Sequence, residues 1–239
     1  MPIAPTHIRW LSPGGAIEPH RHDDHQIVYA SRGVLAVTTR AGSWITPSNR
    51  AIWVPAGTVH AHRAYGELEL HTVGIPVTEN SLGGSAPTII PVSPLLRELI
   101  KGLTSTPETP SPERARLRSV VVDQVRAATE VTNHLPAPTE PLLIAVAEIF
   151  TANPADNRAL HELGREVGAS SRTLSRMFHH DLGMTFPQWR TQLRLHRALI
   201  ELAADTPVST VAHHLGWAST SAFIDVFRQN YGITPGRYQ

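Results

Sequence analysis

The sequence predicts an α+β protein in which an N-terminal β-barrel is followed by an all-α domain. Two observations support this fold class. Residues 1–77 contain short apolar runs that Gly, Pro, Ser and Asn interrupt, which is typical of the strands of a compact barrel. Residues 169–185 and 218–234 repeat one pattern, because Ala, Ser, Phe, Gly and Thr recur at an offset of 49 residues. We interpret each copy as part of a helix, a tight turn and a second helix.

Composition limits the classes of protein to which the chain can belong. Its 239 residues suit two domains, and a hydrophobic content of 41% supports a core in each. Cysteine is absent, which excludes disulfides and thiolate chemistry. The N-terminus has no basic segment followed by an apolar run, and no stretch reaches the roughly 18 apolar residues of a membrane span. We therefore expect a cytoplasmic protein without a membrane partner.

Charge and histidine content differ in what they indicate. The net charge of +1 gives no sign of a nucleic-acid partner. Residues 137–239 hold nine Arg, no Lys and nine acidic residues, so any DNA-binding surface must come from segregated charges. Seven of the 14 histidines lie before residue 72. The histidines that could form a metal or effector site therefore lie mainly in the N-terminal region.

The strands of the barrel are predicted from apolar runs and turn signals. The four clearest runs cover residues 26–30, 34–39, 51–54 and 68–75. Segments 31–33 and 40–42 both end in Gly and are predicted to be hairpin turns between strands. This spacing indicates a small barrel or sandwich.

Two histidine motifs lie on these strands. They are Gly14-x5-His20-x-His22-x3-Gln26-x6-Gly33 and Pro55-x-Gly57-x2-His60. Residues two apart on a strand face the same side, so His20 and His22 are expected to point together, with Gln26 if the strand has no bulge. The Pro-x-Gly turn then brings His60 from a neighbouring strand. Three imidazoles and one carbonyl oxygen would suit Zn, Fe, Ni or Mn as a cofactor.

The spacing of these motifs resembles the two motifs of the cupin family, over roughly residues 14–64. Gln26 stands where the family usually has Glu, so the site lacks an anionic ligand. Asn49 and Ala64 replace the Gly and the Asn that begin and end the family's second motif. The resemblance implies either a metal site or a metal-free pocket for a small-molecule effector. A purely structural role for the histidines is the third interpretation.

Three further residues are candidate effector contacts. His62 shares strand parity with His60 and is expected to line the pocket. Trp53 and Tyr65 are candidates as well, although packing in the core is the alternative interpretation of both aromatic side chains. A metal-dependent cupin enzyme fused to a second domain is the alternative function. Nothing else in the segment supplies a paired acid and base, so we predict that the chain is not an enzyme.

Residues 91–136 are predicted to link the barrel, residues 1–90, to the helical domain, residues 137–239. Ser-Pro pairs begin two helices in the linker, at 94–102 and at 111–132. The second helix has an apolar stripe at helical spacing. The stripe either packs on its own barrel or pairs with the same helix of a second subunit, which would form a homodimer.

Six helices are predicted in the C-terminal domain. They cover residues 141–152, 159–166, 170–180, 188–204, 208–215 and 219–231. In the second helix of the first repeat, Arg172, Ser175 and Arg176 lie opposite the apolar face. Arg can contact guanine through two hydrogen bonds in the major groove, so this face suits base reading. Arg190 and Arg194 on the long helix are candidate phosphate contacts.

The second repeat carries a different set of exposed residues. Thr220, Ser221, Ala222 and Asp225 face away from its apolar side, and Arg228 is the basic residue of this face. Short polar groups and a methyl group can contact base edges. Asp225 either accepts a hydrogen bond from cytosine or holds a neighbouring Arg. We expect this helix to discriminate bases less than the first.

The C-terminal domain resembles that of the AraC/XylS transcription regulators, over about residues 141–239. The matching segments are 163–168, Ser170 with Arg176-Met177-Phe178, Gly183-x-Thr185, and Gly216-Trp217-x-Ser219-x-Ser221-x-Phe223-x3-Phe227-x4-Gly232-Ile233-Thr234-Pro235 with Tyr238. The resemblance implies two helix–turn–helix units that place recognition helices in successive major grooves of double-stranded DNA. It implies a transcriptional regulator controlled by a small molecule or metal in the barrel, with RNA polymerase as a further expected partner.

Overall fold

The computed structural model describes residues 4–79, 82, 84, 86–106, 109–128 and 134–237. These residues form two compact units that divide between His134 and Leu135. Strands dominate the first unit and helices the second, so the predicted α+β class is confirmed. Tyr238, a member of the C-terminal signature, lies outside the described residues.

In the N-terminal unit, the described residues form an antiparallel sheet and two α-helices. The elements are β1 (His7–Leu11), β2 (Ala16–His20), β3 (His25–Thr39), β4 (Gly42–Thr46), β5 (Arg50–Val54), β6 (His60–Ile75), a 3-10 helix (Val77–Glu79), β7 (Thr88–Pro91), α1 (Pro94–Ser105) and α2 (Pro112–Ala127). β3 and β6 pair along most of their length, β1 and β2 flank β6, β4 and β5 flank β3, and β7 pairs with β5. Residues 40 and 41 form the predicted turn between β3 and β4.

Residues 31–33 do not form the predicted hairpin turn. β3 is continuous through this segment, and its register against β6 shifts between Ala30 and Val34. Gly33 has a φ of +80°, and a Cβ at this position would lie 2.4 Å from the carbonyl oxygen of Glu67. Only Gly permits so close an approach of the two strands, and the segment is therefore a β-bulge.

The sheet has two buried faces. The inner face packs the barrel interior, where Val28, Leu35, Ile52 and Leu68 are among the buried side chains. Residues of the opposite parity face α1 and α2 and form a separate core that includes Ile27, Tyr29, Trp53, Val73 and Ile75. Successive side chains on a strand point to opposite faces, so the parity of a residue decides which core it joins.

The predicted linker is not a separate segment, because α1 and α2 pack on the sheet. Val121 and Val125 of the apolar stripe are buried in the core between sheet and helices, and Leu117 and Ala128 pack against it. The stripe therefore packs on its own barrel, which decides between the two interpretations. α2 ends at Ala127, because Ala128 has extended backbone, so the predicted end at residue 132, which lies outside the described residues, is wrong. A homodimer stays a prediction.

In the C-terminal unit, all six predicted helices are confirmed, with ends that differ from the predictions by at most two residues. The elements are β8 (Leu135–Pro136), α3 (Pro141–Ala152), α4 (Leu160–Val167), α5 (Ser171–Leu182), α6 (Phe186–Ala203), α7 (Val208–His214), α8 (Thr220–Tyr231) and a 3-10 helix (Pro235–Arg237). α4 with α5, and α7 with α8, form the two helix–turn–helix units, and α6 joins them. None of the helices described is long and apolar enough to cross a bilayer.

Equivalent serines begin the second helix of each unit. The side chain of Ser170 accepts a hydrogen bond from the backbone N–H of Thr173, and Ser219 does the same for Ala222. These are N-caps, which satisfy backbone donors that have no partner inside the helix. The repeated Ser therefore sets where α5 and α8 begin.

Asp181, near the end of α5, fixes the start of α3. Its carboxylate accepts hydrogen bonds from the backbone N–H of Thr139 at 2.9 Å, from the Thr139 hydroxyl at 2.5 Å and from the backbone N–H of Glu140 at 3.3 Å. The Thr139 side chain, followed by these backbone donors, lowers the pKa of Asp181. A lowered folded-state pKa stabilises the fold above the unfolded pKa, and this contribution is lost as the pH falls through the folded pKa.

Asp181→Ala should loosen the first turn of α3 while the overall fold is kept. Loss of a capping carboxylate costs about 1 kcal/mol, so amides of α3 should exchange with solvent about fivefold faster in hydrogen-exchange mass spectrometry at neutral pH. Glu148→Ala, an exposed change on α3 itself, is the matched control and should leave exchange unchanged. The difference between wild type and Asp181→Ala should shrink below about pH 4. Equal exchange in both proteins at neutral pH would contradict this role.

Candidate functional site

The exposed face of α5 carries the predicted base-reading residues. Leu174 and Phe178 are buried in the core of the unit, which orients the helix. Arg172, Ser175 and Arg176 lie on the opposite side and are exposed. The structure therefore brings these three predicted residues together on one surface. Their backbone is rigid because the helix is capped at Ser170 and packed along its other side.

His179 extends this surface by one turn and was not predicted. It is exposed, and it follows Ser175 at the spacing of neighbours on a helix face. Together with Ser175 and Arg190 it lines a cleft of about 450 Å³. The same helical spacing that selected Arg172 and Arg176 could have identified His179 from the sequence.

The face of α8 is weakly charged. Thr220 and Ala222 are partly buried, and Ser221 and Asp225 are exposed. Arg228 Nη2 lies 3.6 Å from Asp225 Oδ1, and both side chains are largely exposed. This contact favours the interpretation in which Asp225 holds a neighbouring Arg. The second unit therefore presents short polar groups and one partly neutralised guanidinium.

Arg190 of α6 lies at the edge of the cleft beside α5. Its guanidinium carbon lies 5.0 Å from the centroid of the Phe186 ring, and its Nη1 donates a hydrogen bond to the carbonyl of Arg158 at 3.3 Å. These contacts orient the side chain without burying it. Arg190 stays a candidate phosphate contact.

The predicted phosphate contact at Arg194 is wrong. Its side chain is buried, and Nε donates to the carbonyl of Pro154 at 3.0 Å. Nη1 donates to the carbonyl of Gly216 at 3.2 Å, while Nη2 donates to the carbonyl of Asp156 at 2.9 Å and to Asn157 Oδ1 at 3.2 Å. Burial lowers the pKa of Arg194 to about 10, so the guanidinium is still charged at neutral pH. Helical spacing places Arg194 near Arg190, but it does not indicate that a loop covers this part of α6.

The loop before α4 and the turn before α8 meet around Arg194. Gly216 has a φ of +69°, and a Cβ there would lie 2.6 Å from the carbonyl oxygen of Ala155. Glycine is therefore required at this turn for two reasons, backbone conformation and close approach. Since the guanidinium binds both segments, it links the first helix–turn–helix unit to the second.

Four histidines gather in the N-terminal unit. His20 ends β2, His22 follows it, and His60 and His62 lie on β6, where His60 pairs with His20 across the sheet. Neighbouring ring centroids are separated by 4.4 to 5.5 Å. The candidate ligand nitrogens of His20, His60 and His62 all lie within 4.8 Å of one another. We call these four residues the histidine cluster.

Backbone carbonyls set the tautomers of two members of the cluster. Nδ1 of His20 donates to the carbonyl of Glu18 at 2.7 Å, and Nδ1 of His60 donates to the carbonyl of Thr58 at 2.8 Å. A carbonyl can only accept, so the proton is on Nδ1 and the lone pair is on Nε2 in both rings. Within the described part of the chain, His60 Nε2 is buried and has no hydrogen-bond partner. A carbonyl that accepts from the far ring nitrogen in this way orients metal-binding imidazoles.

Burial disfavours the charged form of three members of the cluster, His22, His60 and His62. It lowers the pKa of His60 to about 4 and holds the pKa of His62 well below its usual range, with neighbouring histidines adding to the effect. Burial also lowers the pKa of His22. In the described structure, neither ring nitrogen of His62 has a hydrogen-bond partner. Neutral rings with free lone pairs are the form that binds a metal ion.

The predicted metal-ligand set is brought together only in part. Gln26 Nε2 lies 3.5 Å from His22 Nε2, and Gln26 Oε1 is buried without a hydrogen-bond partner among the described residues. His62, predicted as an effector contact, joins His20 and His60 instead. The shared parity of His60 and His62 was the sequence signal for this arrangement, but the family motif does not include His62.

Trp53 and Tyr65 do not lie beside the histidine cluster. Trp53 stacks on His25, with ring centroids 4.9 Å apart, and belongs to the core under α1 and α2. Tyr65 follows buried Ala64, so it points away from the barrel interior that His62 shares. The structure therefore does not bring Trp53 and Tyr65 to the histidine cluster, and Trp53 is a core residue.

Comparisons with known proteins agree with this arrangement. A helix-turn-helix domain family matches residues 163–239, and a cupin domain family matches residues 9–75. The HTH-type transcriptional regulator NimR of Escherichia coli (strain K12) is 33% identical over 221 residues, which cover 92% of this chain and 81% of NimR. The chain belongs to the AraC family of transcriptional regulators. It is thus a sequence-specific DNA-binding regulator with an N-terminal cupin domain.

Other matches cover different shares of the chain. The HTH-type transcriptional regulator RipA of Corynebacterium glutamicum is 39% identical over 131 residues, which cover 55% of this chain and 37% of RipA. Among solved structures, ToxT from Vibrio cholerae aligns over 99% of this chain and 98% of its own, with 10% identity and a TM-score of 0.42.

Arg176→Ala should weaken binding to a specific DNA site by about 1–3 kcal/mol and relax the choice of base at one position. The physical reason is the loss of two-point contact with a base edge from an exposed, helix-anchored guanidinium. Arg126→Ala removes the same charge from an exposed position on α2 and is the control. Equal site affinity in the two variants, measured by titration of labelled duplex, would contradict the assignment.

Arg194 and Arg190 should respond to substitution in opposite ways. Arg194→Ala should destabilise the C-terminal unit by about 3 kcal/mol, since each buried acceptor left without a donor costs about 1–3 kcal/mol. Arg190→Ala should leave the melting temperature nearly unchanged and reduce the slope of log affinity against log salt by about 1. The structural role of Arg194 fails if its variant melts like wild type and changes only the salt slope.

Proposed function

We propose that this regulator responds to a divalent transition metal bound by His20, His60 and His62. The observation that carries the proposal is the convergence of ring nitrogens that lack protein partners. A buried polar atom without a hydrogen bond costs about 1–3 kcal/mol, so several such atoms facing one another call for a ligand. Imidazole lone pairs oriented by carbonyls on the far side of the ring suit a metal ion.

The donor set narrows the choice of metal. Imidazole suits Zn, Ni and Fe, whereas Mn prefers carboxylate and carbonyl oxygens. The position usually held by Glu in cupins is Gln26, which contacts His22. We therefore propose Zn, Ni or Fe over Mn as the ion that this cluster takes.

The ligands come from two strands, which gives binding a structural effect. His20 lies on β2, and His60 and His62 lie on β6. Simultaneous coordination would hold the two strands together and stabilise the barrel by about 4 kcal/mol at a metal concentration 1,000-fold above the dissociation constant. Regulation requires that the bound ion favour one arrangement of the protein over another.

A small-molecule effector is the second candidate. The observation that favours it is a surface cleft of about 240 Å³ lined by His62 together with Ile17, Thr38 and Arg63. An organic ligand in this cleft would contact His62 without involving His20. The two candidates therefore differ in whether His20→Ala alters the response.

Three aspects of the function rest on the family alone. We propose that the chain acts as a homodimer, contacts RNA polymerase and has no catalytic activity. The relatives named above are transcriptional regulators, which supports the last point. Turnover by the metal-loaded protein would favour the alternative of a cupin enzyme fused to a DNA-binding domain.

The metal proposal predicts distinct results for neighbouring substitutions. Wild type should bind about one equivalent of Zn or Ni, and His62→Ala should weaken metal binding at least about tenfold because a converging ligand is lost. Gln26→Ala should affect it less. His213→Ala, an exposed histidine on α7, is the control for surface binding. Metal content by mass spectrometry and affinity by calorimetry measure these differences.

Regulation by the metal is tested separately, through the affinity of the protein for DNA. Addition of metal should change the affinity of wild type for its DNA site, and His62→Ala should lose this response while its metal-free DNA affinity stays that of wild type. If His62→Ala binds metal and responds as wild type does, the three-histidine site is wrong. If wild type binds metal but DNA affinity does not change, the ion is structural and the regulatory proposal fails.

A further inference from the structure

A cavity of about 230 Å³ lies on the outer side of the sheet in the N-terminal unit. It is lined by Val73 of β6, Leu103 of α1, and Arg114, Ala115 and Arg118 of α2, among others. The two arginines are four residues apart on α2, so both guanidiniums reach the same space. The cavity is separate from the histidine cluster, none of whose residues line it.

Each guanidinium contacts the protein through only some of its N–H groups. Arg114 Nη1 donates to the Thr106 hydroxyl at 2.9 Å, and Arg118 Nη2 lies 3.5 Å from Glu79 Oε1. Arg114 Nη2 and Arg118 Nε are buried and have no hydrogen-bond partner among the residues that the structure describes. Buried charged donors without acceptors are rare in folded proteins, so these two N–H groups indicate a ligand that accepts hydrogen bonds.

Apart from the hydroxyl-bearing Thr6 and Ser111, the remaining wall is apolar. Val73 and Leu103 are almost fully buried, and Ala115 adds a methyl group. A cavity of about 150 Å³ is known to accommodate benzene, so the space here admits a compact hydrocarbon body. An anion with a compact hydrocarbon body would contact both parts of the cavity. Its charged end would pair with the two arginines, and its body would pack on Val73 and Leu103. Inorganic phosphate would leave the apolar wall unused.

We propose that this cavity binds a small monocarboxylate with a compact apolar body, through Arg114 and Arg118. Guanidinium groups pair with carboxylates through charge-assisted hydrogen bonds, which are stronger than those between neutral groups. Because Thr106 and Glu79 already orient the two side chains, little conformational entropy is lost on binding. The ligand would join α2 to the sheet and give the chain an input that does not depend on metal.

The first test uses the full-length wild-type chain and three probes. 3-Methylbutanoate should bind in calorimetric titration with a dissociation constant of about 1 mM or tighter. Its neutral amide, 3-methylbutanamide, has nearly the same shape and should bind at least about tenfold more weakly. Inorganic phosphate should also bind at least about tenfold more weakly. Equal binding of acid and amide, preferential binding of phosphate, or no binding of the acid would each overturn the proposal.

The second test locates the site with charge-removing variants on one helix. Arg114→Gln and Arg118→Gln should each weaken 3-methylbutanoate binding at least about tenfold. Arg116→Gln, exposed between them on α2, should bind as wild type does. If all three variants bind alike, the carboxylate does not occupy this cavity. The result is independent of metal binding, so its failure and that of the metal proposal are distinguishable.

Discussion

One buried guanidinium determines the geometry of the DNA-binding unit. Arg194 lies in the long helix α6, and the transfer of its charge from water into the protein is unfavourable unless every donor finds an acceptor. The acceptors are backbone carbonyls of the loop before α4 and of the turn before α8, together with an Asn side chain. Because the same group satisfies both segments, the two recognition helices keep a fixed relation. We propose that this rigidity lets a few exposed arginines, chiefly Arg172 and Arg176, discriminate between DNA sequences in a domain with no excess of positive charge.

The helices of this unit could be predicted because their signals are local. A capping Ser, an apolar spacing and a turn glycine act within a few residues, and each occurs twice in the repeat. The role of Arg194 could not be predicted, since helical spacing identifies the residues that share a face but not the segment that covers them. The β-bulge at Gly33 could not be predicted for a related reason. A glycine with positive φ suits a hairpin turn and a β-bulge equally well, and only the partner strand determines which of the two forms.

The candidate sites of the N-terminal unit share a physical signature, which is buried polar atoms without protein partners. Ring nitrogens of His60 and His62 have this property in the barrel, and guanidinium nitrogens of Arg114 and Arg118 have it beneath α2. Strand parity alone placed His60 and His62 on one face, but their distance from His20 depends on how β2 pairs with β6. The position of Gln26 depends on how β3 pairs with β6. The sequence therefore identifies candidate ligand residues, and the strand register determines which of them lie close enough together to bind one ion.

We propose that a metal bound in the barrel controls which DNA the two helix–turn–helix units occupy. Selection of bound sites from a random duplex library, by the full-length protein with and without Zn or Ni, tests it most directly. We expect enriched sites with two elements about 10 base pairs apart, one in each of two successive major grooves. The element under α5 should be the more strongly specified, and enrichment should depend on the metal. Identical enrichment with and without the ion, or no enriched sequence, would contradict control of DNA binding by the metal.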